Sequence, residues 1–282
     1  MKQAVDGQAV DGTVRTAPIG VFDSGLGGLT VLRAIRERLP GEATVYLGDT
    51  ARVPYGPKAA ETIRRYAIEA TDFLLGKGVK AVVIACNTAT ARALPDVEAR
   101  AGVPVLGVVE PGGSAAASAS GTGRIGVIGT RGTISSRAYN RVIHSHRPDA
   151  QVFEQACPLF VPLVEEGWTD DEVTRLAAER YLGPLLKEGI DTLVLACTHY
   201  PLLKPLLARV VGENVRLIDS AESTAAALER LLVSEDLASP SGPPAAARYY
   251  VTDEAARFDL LARRLLGEEV EHLEMVSVDS TG

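Results

Sequence analysis

Ala81-Val82-Val83-Ile84-Ala85-Cys86-Asn87-Thr88-Ala89 and Thr192-Leu193-Val194-Leu195-Ala196-Cys197-Thr198-His199-Tyr200 are the two stretches around which the chain is organised. Each is an apolar run that ends in Ala-Cys and continues with a small polar residue. A short run rich in Val, Ile and Leu predicts a strand buried on both faces of a parallel sheet. The cysteine then stands at the strand's carboxyl end, before a helix start, where open α/β sheets bind their ligands. A single cysteine in that place reads most simply as a small core hydrophobe. Packing alone does not require a second one in the same context, so the matched pair predicts a two-sided active site.

Outward from the two cysteines the chain repeats itself. Ile125-Gly126-Val127-Ile128 matches Ile19-Gly20-Val21-Phe22 at an offset of 106 residues, and Cys197 matches Cys86 at an offset of 111. Leu217-Ile218-Asp219-Ser220 is placed like Leu106–Val109, also at 111. Matches in the same order at nearly constant offset predict two related α/β halves. Pseudo-twofold packing would set their cysteine-bearing edges face to face. The expected architecture is α/β, with two pseudo-symmetric lobes, each a mostly parallel sheet flanked by helices, and the active site in the cleft between them. The first lobe is expected over 18–111 plus 221–282 and the second over 112–220. Residues 1–17 hold a short repeat, Ala4-Val5-Asp6-Gly7 and Ala9-Val10-Asp11-Gly12, and are expected to be a disordered tail.

In chain order, a strand at Ile19–Phe22 leads through Asp23-Ser24-Gly25-Leu26-Gly27-Gly28 into a helix at about 29–39. Strand, glycine turn and helix together present backbone N–H groups to an anion, although the dinucleotide fingerprint is absent. Asp23 reads equally as a helix cap or a catalytic auxiliary. A second strand, Thr44–Leu47, runs into the loop Gly48–Pro57, whose prolines and glycines exclude a helix. Tyr55 there is a packing aromatic or a ligand contact. A helix at about 58–75, the Cys86 strand, a helix to about 100 and a strand at Val103–Val109 follow, then Glu110-Pro111-Gly112-Gly113, a small-residue helix at Ser114–Ser120 and a turn at Gly121-Thr122-Gly123. In the second half, Gly129-Thr130-Arg131-Gly132-Thr133 stands where the Asp-Ser-Gly loop stood. A strand at Gln151–Gln155, a helix at about 170–188 and the Cys197 strand come next. Cys157 has no repeat partner and reads as structural, and Glu165-Glu166 as a solvated pair. A helix to about 232, a Ser/Pro/Ala linker at 234–247, a strand near 249–252 and a helix near 254–266 close the chain, beside the first half.

Composition narrows the chemistry. The 282 residues are 46 % apolar, enough for one large or two medium domains with full cores. Three cysteines are too few, and odd in number, for a disulfide framework. No CxxC or Cys/His ligand spacing occurs, so a zinc site is not expected. Free thiols on strand ends fit a reducing cytoplasm. A net charge of −7 argues against nucleic acid or an anionic membrane as the main partner. No stretch is long and apolar enough to span a bilayer, and no signal-peptide core opens the chain.

Two thiols can form a redox disulfide, transfer a thiol, hold a metal or serve as two acid/base groups. Redox pairs usually stand close together or beside a resolving partner. Equivalent thiols on opposing lobes suit symmetric chemistry, in which one thiolate removes a proton from one face of a carbon and the other thiol returns one to the opposite face. Thiol pKa values near 8.5 can be tuned toward operating pH. Two thiolates in one pocket repel, so the working pair carries one proton between them. Asp23 and His199 stand where they could assist that transfer.

The motifs Phe22-Asp23-Ser24-Gly25-Leu26-Gly27-Gly28, Gly48-Asp49-Thr50 with Pro54-Tyr55-Gly56, Ala85-Cys86-Asn87-Thr88-Ala89, Gly129-Thr130-Arg131-Gly132-Thr133 and Ala196-Cys197-Thr198-His199-Tyr200-Pro201 run in order from residue 19 to about 220. In these the chain resembles glutamate racemases of the cofactor-independent aspartate/glutamate racemase superfamily. The resemblance implies that Cys86 and Cys197 move the proton, that Asp23 assists Cys86, and that Glu165 (in Pro162-Leu163-Val164-Glu165) and His199 assist Cys197. It implies substrate contacts from Asp23, Ser24, Tyr55, Gly56, Asn87, Thr88, Thr130, Thr133, Thr198 and His199. It implies no cofactor, pyridoxal phosphate included, and no metal. The small-molecule substrate would be glutamate, with D-glutamate supplied to peptidoglycan synthesis, and the site would be built within one chain, as a monomer or a homodimer. An aspartate-type racemase, a regulatory protein on the same fold and a thiol-redox protein are the competing readings.

Overall fold

A computed structural model describes residues 12–240, 242–243, 245–253, 258–259, 262–263, 270 and 272–278. Among the described residues, ten strands lie in two all-parallel sheets. The first sheet holds β1 (Ile19–Asp23), β2 (Thr44–Gly48), β3 (Ala81–Ile84), β4 (Val105–Gly107), β9 (Ala247–Val251) and β10 (Leu273–Met275) in the order β10-β9-β2-β1-β3-β4. The second holds β5 (Arg124–Gly129), β6 (Gln151–Ala156), β7 (Thr192–Ala196) and β8 (Arg216–Asp219) in the order β6-β5-β7-β8. The run β2-β1-β3-β4 is therefore repeated as β6-β5-β7-β8, which is the duplication read from the sequence offsets.

Both faces of each sheet are covered. Along β3, Ala81, Val83 and Ala85 enter one apolar core while Val82, Ile84 and Cys86 enter the other. Along β7, Leu193, Leu195 and Cys197 enter one core and Val194 and Ala196 the other. Alternate side chains of a strand point to opposite faces. Each large aliphatic side chain buried there contributes about 1.5–3 kcal/mol, so a polar residue inside either run would be costly. That cost explains why the polar residues begin only after the strands end.

Several elements differ from expectation. The helix expected at Ser114–Ser120 begins earlier, at Val109, and takes in Glu110–Gly113. Pro111 falls in the first turn, where its missing N–H costs nothing. The glycines are needed for close packing, since a Cβ at Gly113 would stand 2.5 Å from a Val142 methyl. The strand before it is correspondingly short. A helix at Phe160–Glu165 is absent from the expected elements; its Pro162 stands in the first turn, where a missing N–H costs nothing. β10 is a further element that the sequence does not announce. The final helix is seen only at 258–259 and 262–263, and the remainder of that expectation, like residues 1–11 of the tail, lies outside the described residues. Regular structure begins before Pro18, with a helical turn at Gly12–Arg15.

That turn is held by a buried charge cluster at the amino edge of the first sheet. Lys80, next to β3, donates to the Arg15 carbonyl (2.5 Å) and to Ser239 Oγ (3.1 Å) and pairs with Glu42 (2.5 Å). Ser239 N–H donates to the other Glu42 oxygen (2.7 Å). Removing one partner of a buried pair strands the other charge. Lys80→Met should lower unfolding free energy by about 3–5 kcal/mol, measured by urea denaturation, whereas Lys80→Met with Glu42→Leu should cost much less.

Candidate active site

Parallel strands leave a crevice where consecutive connections depart to opposite sides of a strand. In the first sheet that point lies at the carboxyl ends of β1 and β3, and in the second at those of β5 and β7. Asp23 closes β1, and Cys86 follows β3. Thr130 follows β5, and Cys197 follows β7. The two crevices face each other and share one small cavity of about 20 Å³, close to the room one water needs.

Cys86, Asn87, Thr88, Ser24, Tyr55 and Gly56 line this cavity from the first half, and Thr130, Cys197, Thr198 and His199 from the second. Three other expected residues, Asp23, Thr133 and Glu165, are absent from the lining. Asp23 is wholly buried: its Oδ2 accepts Gly25 N–H (3.0 Å) and its Oδ1 accepts the Thr198 hydroxyl (3.2 Å). Thr133 completes a triangle of hydroxyls with Thr88 and Thr130, with edges of 2.8, 3.1 and 3.1 Å. Glu165 Oε1 lies 3.2 Å from His199 Nε2, behind the ring.

The two thiols have unlike surroundings. Cys86 is the N-cap of the helix Asn87–Ala101; its sulfur accepts Ala89 N–H at 3.4 Å and its S–H donates to Ser24 Oγ at 3.4 Å. Burial, with the Asp23 charge adding in the same sense, pushes the Cys86 thiol up to about 12 against the opposing hydrogen bonds. At neutral pH this group rests as a thiol. Cys197 lies 3.9 Å from His199 Nδ1. Burial works against a charged His199, but the hydrogen bonds to Cys197 and Glu165 and the charges of Cys197 and Asp23 outweigh it, and the ring is raised to about 10. His199 is therefore an imidazolium at neutral pH, with a proton beside the Cys197 sulfur. Burial also raises Asp23, opposed by His199 and by hydrogen bonds from Gly28, Gly25 and Thr198.

Cys157, the third cysteine, is fully buried in the second-half core. Its thiol faces the Gln155 carbonyl at 3.7 Å and does not line the cavity.

Known proteins share this sequence and this architecture. A profile described as Asp/Glu/Hydantoin racemase matches residues 19–228. The chain belongs to that racemase family. The glutamate racemase of Syntrophus aciditrophicus is 53 % identical over 261 residues, covering 93 % of this chain and 97 % of the relative. That of Geobacter metallireducens is 49 % identical over 262 residues, with the same coverage of each. The crystal structure of glutamate racemase from Francisella tularensis, in complex with D-glutamate, superimposes with a TM-score of 0.88 at 38 % identity, covering 95 % of this chain and all of that one.

Four residues at this candidate site escape the sequence reading. Val53, Pro54 and Val161 are apolar cavity walls; nothing in an isolated aliphatic side chain signals such a place. Tyr139 donates to Asn87 Oδ1 at 2.6 Å, from 52 residues away, and so directs the amide. Asn87 Nδ2 is buried without a protein partner, a donor left for a ligand.

Because folded His199 lies above the ~6.5 of an unfolded histidine, its charge stabilises the fold fully below about pH 6.5, and that contribution is lost as pH rises through about 10. The urea midpoint of the wild type should exceed that of His199→Gln most at about pH 6, and the gap should shrink steadily toward about pH 10.

Proposed function

We propose that this protein interconverts L- and D-glutamate without a cofactor, one of Cys86 and Cys197 removing the α-proton and the other delivering a proton to the opposite face. The observation that carries the proposal is the placement of these two thiols on equivalent strand ends of a duplicated fold, lining one cavity, each with its own polar support. Relatives at about 50 % identity over nearly the whole chain are named glutamate racemases, which supports glutamate as the substrate.

A thiolate on one side breaks the Cα–H bond and becomes a thiol, leaving the electron pair on the α-carbon and its carboxylate. The thiol on the other side gives its proton to the opposite face and becomes the thiolate. The stereocentre is inverted, one proton is taken and one returned, and the reverse reaction exchanges the two roles. Cys86 rests as the thiol. Asp23 and Ser24 support the Cys86 side, whereas His199, backed by Glu165, holds a proton beside Cys197. The Ser24, Thr88 and Thr130 hydroxyls and the Asn87 amide supply donors for the carboxylates, with Thr133 orienting Thr88 and Thr130, and Tyr55-Gly56 closing one wall. Donors already in place stabilise developing negative charge without reorganisation, and a tight cavity that excludes bulk water strengthens them. D-glutamate made in the cytoplasm would supply peptidoglycan synthesis.

A positioned acid or base contributes about 10²–10⁴-fold. Cys86→Ala and Cys197→Ala should each lower racemisation of both enantiomers by at least that factor while leaving circular dichroism and the melting temperature near wild type. In D2O, the wild type should convert either enantiomer with α-deuterium in the inverted product. Turnover of aspartate but not glutamate would keep the chemistry and move the substrate; a cysteine variant that retained most of the wild-type rate would overturn the two-base assignment.

A further inference from the structure

The family profile ends at residue 228, yet the chain returns to the first sheet after it. β9 pairs in parallel with β2, in register from Thr44↔Ala247 to Gly48↔Val251. The two residues after β9 then reach over the loop that follows β2. Thr252 N–H donates to the Gly48 carbonyl (3.1 Å). The Thr252 hydroxyl accepts Ala51 N–H (2.9 Å) and donates to Asp49 Oδ1 (3.0 Å). Asp253 N–H donates to Thr50 Oγ1 (2.8 Å).

Asp49 is wholly buried. Besides Thr252 it accepts Arg52 Nε at both oxygens (2.9 and 2.8 Å) and the hydroxyl of Tyr55 at Oδ2. Tyr55 and Gly56 are cavity walls, and the Gly56 carbonyl accepts Gly132 N–H from the second half (3.0 Å). The loop is thus fixed at its far end to the second half and at its near end, through one carboxylate, to the C-terminal strand. A carboxylate has room for about four donors. Here they come from the helical turn, the strand's exit and the cavity-facing tyrosine, so none can shift without disturbing the others.

We infer that the C-terminal segment is part of the substrate-binding apparatus: Thr252, acting through Asp49, is a positioning residue that holds Tyr55 and Gly56 against the substrate. This rests on the proposed racemase reading only for its kinetic consequence. Losing one hydrogen bond from such a network corresponds to about a fivefold effect. In the full chain, Thr252→Val should raise KM for glutamate about fivefold with kcat within about twofold, and Thr252→Ser, which keeps the hydroxyl, should restore KM. The KM effect should be lost in a Tyr55→Phe background, because the relay ends at that hydroxyl.

Amide hydrogen exchange gives a reading that needs no turnover. Thr252→Val should speed exchange at Tyr55 and Gly56, which Thr252 does not touch, about fivefold, while the melting temperature stays near that of Thr252→Ser. Unchanged exchange at those two amides overturns the inference whatever the kinetics show. So do KM effects of Thr252→Val and Tyr55→Phe that simply multiply, or a serine variant that behaves like valine. Faster exchange in a protein that does not racemise glutamate would leave the positioning role standing and sink the racemase reading instead.

Discussion

The site depends on the close approach of two loops from different halves. The Thr198 hydroxyl, after β7, donates to the buried carboxylate of Asp23 at the end of β1. The backbone beside that bond is equally constrained: a Cβ on Gly27 would stand 2.4 Å from Thr198 Oγ1 and 2.6 Å from His199 Nδ1, closer than real carbon atoms come. The Thr30 hydroxyl also bonds the Thr198 carbonyl (3.3 Å). Because a buried carboxylate without donors would be costly, the Asp23–Thr198 bond ties the two halves together, alongside the Thr88–Thr130 hydroxyl contact and the bond from Gly132 N–H to the Gly56 carbonyl.

Duplication and asymmetry act at different levels here. The strand order is repeated, the cysteines occupy the same register in each sheet, and both crevices open toward each other. The polar surroundings are not repeated. Cys86 caps a 15-residue helix and meets Ser24. Cys197 is followed by a short 3-10 turn, Tyr200–Leu203, and meets an imidazolium backed by Glu165. In the proposed racemisation, the backbone symmetry would supply opposed groups at similar distances, and the unlike neighbours a definite proton on one side.

The helices that carry the chain between the sheets, Val109–Ala119 and Ser220–Ser234, pack against one another and leave the cavity free of crossing backbone. Among the described residues, no helix is long and apolar enough to cross a membrane. The additional strands β9 and β10 extend only the first sheet, beyond β2, so the duplicated core is intact and the extension bonds the loop that follows β2.

Amino-acid sequence alone determined the local order: apolar runs of strand length, the cysteine at the end of each, the glycine turn after Asp23, and the offset that betrays duplication. These are short-range signals, written in burial period and turn chemistry, and they were enough to place Cys86, Cys197, Asp23 and His199. The helix carrying Glu165 has only six residues, too few to show a helical period, and Glu165-Glu166 alone look like a solvated pair. Tertiary structure decided which partners meet: Thr198 on Asp23, Tyr139 on Asn87, Thr252 on Asp49, separated by 175, 52 and 203 residues. Hydrogen bonds of that span leave no periodicity in the chain, and the burial that raises Cys86 and the polar contacts that raise His199 against its burial exist only once both sheets have closed over them.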